Sequence, residues 1–194
     1  MGGRRIPGTG SANIVSTDLL DKYELVALAR LDLEKERFDQ ALVRLKQAAS
    51  LDGEELPDIS ALLGATYARL RLWDRAQAAL SAFLTLRPDA LNERFQLGMT
   101  YFDSGDHARA LEVWQQVLGR AKLHPPALYY SALANARLGR LQPALEYCQT
   151  VLSTAAQDNL FHGRAKELLE QLRADPKAGA AAVEEPRPAP RKSH

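Results

Sequence analysis

Apolar positions along this chain fall in blocks of about a dozen residues with a helical period, and the blocks come in pairs. Four alanines, Ala41, Ala76, Ala110 and Ala144, mark the same place in successive pairs, at separations of 35, 34 and 34 residues. Each sits in a similar phrase, with a bulky residue three places earlier: Phe38, Trp73, His107 and Leu141. Twelve residues before each alanine stands a small residue, Ala29, Gly64, Gly98 or Ala132, where two helix backbones can approach closely. Short breaks such as Ser104-Gly105-Asp106 and Leu138-Gly139-Arg140 divide the blocks of a pair, because glycine adopts the left-handed geometry that ends a helix. Longer breaks at Asp52 to Pro57, Arg87-Pro88-Asp89 and His124-Pro125-Pro126 separate the pairs, since proline lacks an amide donor and restricts its predecessor. Pro57 and Pro143 suit a first helical turn, whose amides need no intrahelical partner. The predicted unit is helix, tight turn, helix, repeated four times.

A period near 34 residues with Leu-Gly, Tyr, Ala, a large apolar residue and Pro at set places is the signature of the tetratricopeptide repeat family. The second unit carries Leu63-Gly64, Tyr67, Ala76, Leu80 and Pro88, and the third carries Leu97-Gly98, Tyr101, Ala110 and Trp114. The chain resembles that family over about residues 22 to 156. The resemblance implies an all-α protein, a right-handed alpha-alpha superhelix of four helix hairpins. The units are then 22–56, 57–90, 91–124 and 125–156. The first and fourth depart from the pattern: Asp32 and Asn135 stand where tyrosine is expected, and Ser131 replaces the usual leucine. Looser helix packing is expected at both ends. Residues 158–173 read as an amphipathic helix with Leu160, Phe161, Ala165, Leu168, Leu169 and Leu172 near one face, similar to the helix that closes such arrays and covers their last apolar face. The repeat domain is thus expected over 18–173, with Ser16, Thr17 and Asp18 as candidate caps of its first helix. Residues 1–17, rich in glycine, and 174–194, rich in Ala, Pro and charge, hold too few large apolar groups to offset ordering entropy, and both are expected to be disordered.

Composition narrows the functions open to such a chain. Of 194 residues 46% are hydrophobic, enough for one domain with a substantial core. Twenty-five basic residues against 24 acidic ones give a net charge of +1, so no field draws the chain to nucleic acid. No apolar run approaches the roughly 18 residues of a membrane-spanning helix, and no membrane insertion is expected. The start, Met1 to Pro7, completes neither an export signal nor a myristoylation site. With one cysteine, Cys148, no internal disulfide can form, and a cytoplasmic location is expected. Cys148 occupies a large-apolar position, which suits packing better than nucleophilic chemistry. The histidines, His107, His124, His162 and His194, are scattered without metal-ligand spacing, and no phosphate-binding loop occurs. Neither cofactor, metal nor enzyme activity is expected. Arg187, Arg191 and Lys192 near the C-terminus read as solvated charges.

Stacked hairpins line their inner surface with the first helix of every pair. The family resemblance places inward residues at the second, fifth, sixth, ninth, twelfth and thirteenth positions of each unit. With units starting at Lys22, Pro57, Leu91 and Pro125, the first offers Tyr23, Val26, Arg30, Leu33 and Glu34. The second offers Asp58, Ala61, Leu62, Ala65 and Arg69. In the third they are Asn92, Phe95, Gln96, Met99, Phe102 and Asp103, and in the fourth Tyr129, Tyr130, Leu133 and Arg137. The last two sets are aromatic, suited to holding an apolar peptide or helix through large anchors of low entropy cost, with Arg30, Arg69, Asn92 and Arg137 fixing its register. Family members that clamp a carboxylate-ended tail carry several lysines and asparagines where this chain has Val26, Arg30, Leu62, Asn92 and Gln96, so that likeness is poor. The nearer resemblance is to small bacterial scaffolds and secretion chaperones of the family. The expected function is an adaptor that holds a protein partner in a concave groove. Self-association into a homo-oligomer and service as a secretion chaperone are the alternatives.

Overall fold

Among the described residues five helices start where the backbone gains a side-chain acceptor or loses a donor. In the computed structural model, which describes residues 20–53 and 56–175, Asp21 caps α1 (Lys22–Glu34) with a reciprocal capping box. Its carboxylate accepts from the Glu24 amide at 2.8 Å, and its own amide donates to the Glu24 carboxylate at 2.9 Å. The cap expected from Ser16, Thr17 or Asp18 is supplied by Asp21, and those three lie outside the described residues. Pro57 and Pro125 occupy the first position of α3 (Pro57–Arg69) and α7 (Pro125–Arg137), where a missing amide costs nothing. At α7 the His124 imidazole adds a cap, Nδ1 accepting from the Ala127 amide at 3.1 Å. The remaining helices are α2 (Phe38–Ser50), α4 (Trp73–Leu86), α5 (Leu91–Asp103), α6 (His107–Arg120), α8 (Leu141–Thr154) and α9 (Leu160–Ala174). Among the described residues there is no strand. The closing helix begins two residues later than its apolar pattern suggests, because the Asn159 side chain caps it by accepting from the Phe161 amide.

The turns inside the hairpins share one geometry. In each, one residue takes the left-handed conformation: Glu36 at φ 56°, Arg71 at φ 58°, Gly105 at φ 90° and Gly139 at φ 70°. The amide that follows donates five residues back, Arg37 to the Asp32 carbonyl, Leu72 to Tyr67, Asp106 to Tyr101 and Arg140 to Asn135, at 2.8 to 2.9 Å. This closure satisfies a terminal carbonyl of the first helix. Glycine supplies it in two hairpins, and Glu36 and Arg71 supply it at a steric cost in the other two.

The described residues divide into two compact units, 20–53 and 56–175. In the first, α1 and α2 form one hairpin whose contact is built from Leu25, Ala29, Ala41, Leu45 and Ala48, all fully buried. Where the repeat pattern has tyrosine, Asp32 is 1% exposed and paired with Arg37 at 2.6 Å and with Arg44. A buried carboxylate held by two partly exposed guanidinium groups stands there in place of the ring.

In the second unit α3 with α4, α5 with α6, and α7 with α8 are hairpins, each packed on the next, and α9 closes against α8 and α7. This is an all-α superhelix. The small residues set how closely each pair approaches. A methyl group at Gly64 would lie 2.6 Å from Leu80 Cγ, and one at Gly98 would overlap the Trp114 indole. Trp114 is fully buried there, its Nε1 donating to the Phe95 carbonyl at 3.2 Å. In α9, Ala165, Leu168, Leu169 and Leu172 are buried.

Candidate functional site

The aromatic positions of the third and fourth hairpins assemble into one cluster in the second unit. Phe95 lies 6.0 Å from Trp114, 5.5 Å from His124 and 5.9 Å from Tyr130, measured between ring centroids. One helical turn pair further on, Phe102 stands 4.8 Å from His107 and 6.1 Å from Tyr130. Such separations and tilted geometries are those at which aromatic rings attract. On α5 the face is graded, with Phe95, Met99 and Phe102 half-buried and Asn92, Gln96 and Asp103 exposed beside them. A strip of two rings and a thioether therefore stays partly open to solvent, edged by amides.

Tyr129, Tyr130 and Leu133 lie deeper than their spacing implies, at 2 to 3% exposure. The cause is α7 itself, which is buried at every position from Ala127 to Ala136 because α6, α8 and α9 all pack on it. Phe161, on α9, places its ring 5.7 Å from Tyr129 and 6.2 Å from Tyr130. Tyr130 thus backs the α5 strip, with Tyr129 behind it, and neither forms its surface. Arg137, in the last turn of α7, and Arg69, in the last turn of α3, are half-buried, where a cation suits the negative end of the helix dipole. In the first unit Tyr23 is 62% exposed, Arg30 is exposed and Val26 is buried.

His107 and Phe161 were not among the groove positions of the repeat pattern. His107 follows the inner helix, and Phe161 belongs to the closing helix; only its place on an apolar face hinted at a ring contact. The His107 imidazole is held below its ordinary value, first by burial and then by Arg137, with Asp106 opposing. Burial pushes the Cys148 thiol up to about 12, so the thiolate is scarce at neutral pH. Among the described residues no group of three His, Cys, Asp or Glu side chains could hold a metal ion, and no helix is long and apolar enough to cross a membrane.

Residues 95–159 match the tetratricopeptide repeat family. The fold is similar to that of solved structures. One is YrrB, described as a TPR protein with an unusual peptide-binding site, at 22% identity over 75% of this chain and 74% of that one, with a TM-score of 0.68. MamA from Desulfovibrio magneticus RS-1 is 22% identical over 84% of this chain and 91% of its own, also at a TM-score of 0.68. MamA of AMB-1 is 20% identical over 73% and 82%, at 0.65. No curated protein matches the sequence. At these identities the structural likeness establishes the fold.

Proposed function

We propose, from the premise that this is a tetratricopeptide repeat protein, that it is a binding scaffold which holds an apolar peptide or helix of a partner protein along the inner face of its second unit. The observation that carries this reading is the half-open strip of Phe95, Met99 and Phe102 on α5, flanked by exposed Asn92 and Gln96. Tyr130 supports the strip from beneath, and its ring holds Phe95 and Phe102 before a guest arrives, which lowers the entropy lost on binding. Gln96 and Asn92, exposed beside the strip, offer hydrogen bonds to a guest backbone. The fold likeness to YrrB, whose description includes a peptide-binding site, supports a peptide as the class of guest.

A photo-crosslinking residue at Gln96, exposed in α5, tests this. The partner segment it captures is expected to be apolar, and its capture is expected to be lost when Phe102→Glu is added while helicity is unchanged. Equal capture with and without Phe102→Glu overturns the groove reading. Self-association is a second reading, favoured by the exposure of Tyr23 at 62%, Leu31 at 46% and Val43 at 65% in the first unit. Light scattering over a dilution series separates the two, because a chain that is monomeric at every concentration excludes it.

A further inference from the structure

The second helices of the third and fourth hairpins, α6 and α8, border a cleft of about 540 Å³. Its floor is Asn135, and its walls include Glu112, Arg140, Pro143, Glu146 and Tyr147. The origin of the cleft is visible by comparing hairpins. In the third, Tyr101 packs against the cluster of Leu80, Phe83, Leu84 and Leu97, with the Arg109 guanidinium 5.8 Å from its ring centre. In the second, Tyr67 and Arg75 make the same pairing at 5.9 Å. The matching positions in the fourth hairpin are Asn135 and Pro143, so both ring and cation are replaced by shorter, uncharged groups.

Asn135 is more than a small substitute. It is 5% exposed, and its Nδ2 donates to the Ser131 carbonyl at 2.8 Å. Its Oδ1 is not one of the enclosed, unpaired polar atoms among the described residues, and as an acceptor on the cleft lining it can receive a donor brought from outside. Around the mouth, Glu112 and Glu146 are exposed carboxylates against a single guanidinium, Arg140, which leaves the rim net negative.

We propose that this cleft is a second protein-binding site, and that its occupant is a partner's tyrosine side chain with an arginine or lysine next to it. The guest restores from outside what the neighbouring hairpins build from within. A phenol entering from the rim leads with its hydroxyl, which donates to Asn135 Oδ1. Its ring takes the space filled elsewhere by Tyr101, and the adjoining cation pairs with Glu112 and Glu146. A tyrosine lacking a basic neighbour loses the charge pairing, and a cation lacking a ring leaves the cleft unfilled.

The probe is N-acetyl-tyrosyl-argininamide, titrated into the isotope-labelled full chain with amide chemical shifts followed by NMR. Saturable shifts are expected at Glu112, Asn135 and Tyr147, with affinity at least about tenfold weaker when alanine replaces the probe's tyrosine or glutamate its arginine. Asn135→Tyr is expected to abolish the shifts while leaving the thermal midpoint equal or higher. Glu112→Lys, at an exposed position, is expected to weaken them with no change in fold, and it decides the matter should the Asn135 variant not fold. Absence of saturable shifts in the unaltered chain overturns the proposal. So do shifts that survive Glu112→Lys or that the alanine probe produces equally.

Discussion

The third and fourth hairpins share a backbone but are filled by opposite means. The third brings its bulk from within: Trp114 lies against Gly98, and Tyr101 fills the outer face under Arg109. The fourth has Ala132 and Cys148 at the positions of Gly98 and Trp114 and Asn135 in place of the tyrosine, and takes its cover from neighbours, so that α7 is enclosed by α6, α8 and α9. One period can therefore hold hairpins of different self-sufficiency. The third should depend on its own large side chains, and the fourth on the helices around it.

The largest effect that would break this comparison comes from the third hairpin's indole. Trp114→Ala is expected to cost about 3–5 kcal/mol in urea unfolding, against about 1 kcal/mol for Cys148→Ala, which removes one small group; equal losses would contradict the difference in filling. Next in size, Gly98→Ala forces a methyl group onto Trp114 and is expected to cost about 1–3 kcal/mol. The reciprocal change in the fourth hairpin, Ala132→Gly, is expected to cost about 1 kcal/mol through helix propensity. The turns come third. Gly105→Ala is expected to destabilise by about 1 kcal/mol, and Arg71→Gly to stabilise by about 0.5 kcal/mol, because only one of the two residues adopts the left-handed geometry freely.

The smallest effect concerns His107, whose folded value is depressed by burial and by Arg137. A depressed value means that the unfolded chain binds the proton more readily, so its contribution is complete above the ordinary value of 6.5. It is lost as the pH falls from there through the folded value. A slight fall in thermal midpoint below that point, absent in His107→Gln, is the expected record.

How far the fold could be read from residues alone follows from what sets each feature. The hairpins, their breaks and the closing helix were legible because proline, glycine and apolar spacing act locally. Two of the four turns were not, since Glu36 and Arg71 carry no glycine to announce a left-handed residue. Asp32 and Asn135 look alike as departures from one position, yet the structure resolves them differently. Asp32 becomes a buried carboxylate held by two partly exposed guanidinium groups, Arg37 and Arg44, while Asn135 borders a cleft whose wall includes the ring of Tyr147. Which outcome follows depends on a residue of the second helix, Arg44 or Tyr147, twelve positions further along. The aromatic set on α5 and α7 was legible as a set but not in depth. Depth is decided by α6, α8 and α9 packing on α7, and Phe161, on α9, lies more than twenty residues beyond α7 and outside the repeat period.

The fit of Gly98 to Trp114 also bears on how such a protein can be rebuilt. Exchanging α6 for α8 would set an indole against the methyl group of Ala132 and a thiol against the bare backbone of Gly98, a collision in one hairpin and a hole in the other. The segments are matched like numbered parts, so any shuffled or extended version must be cut between hairpins and never within one.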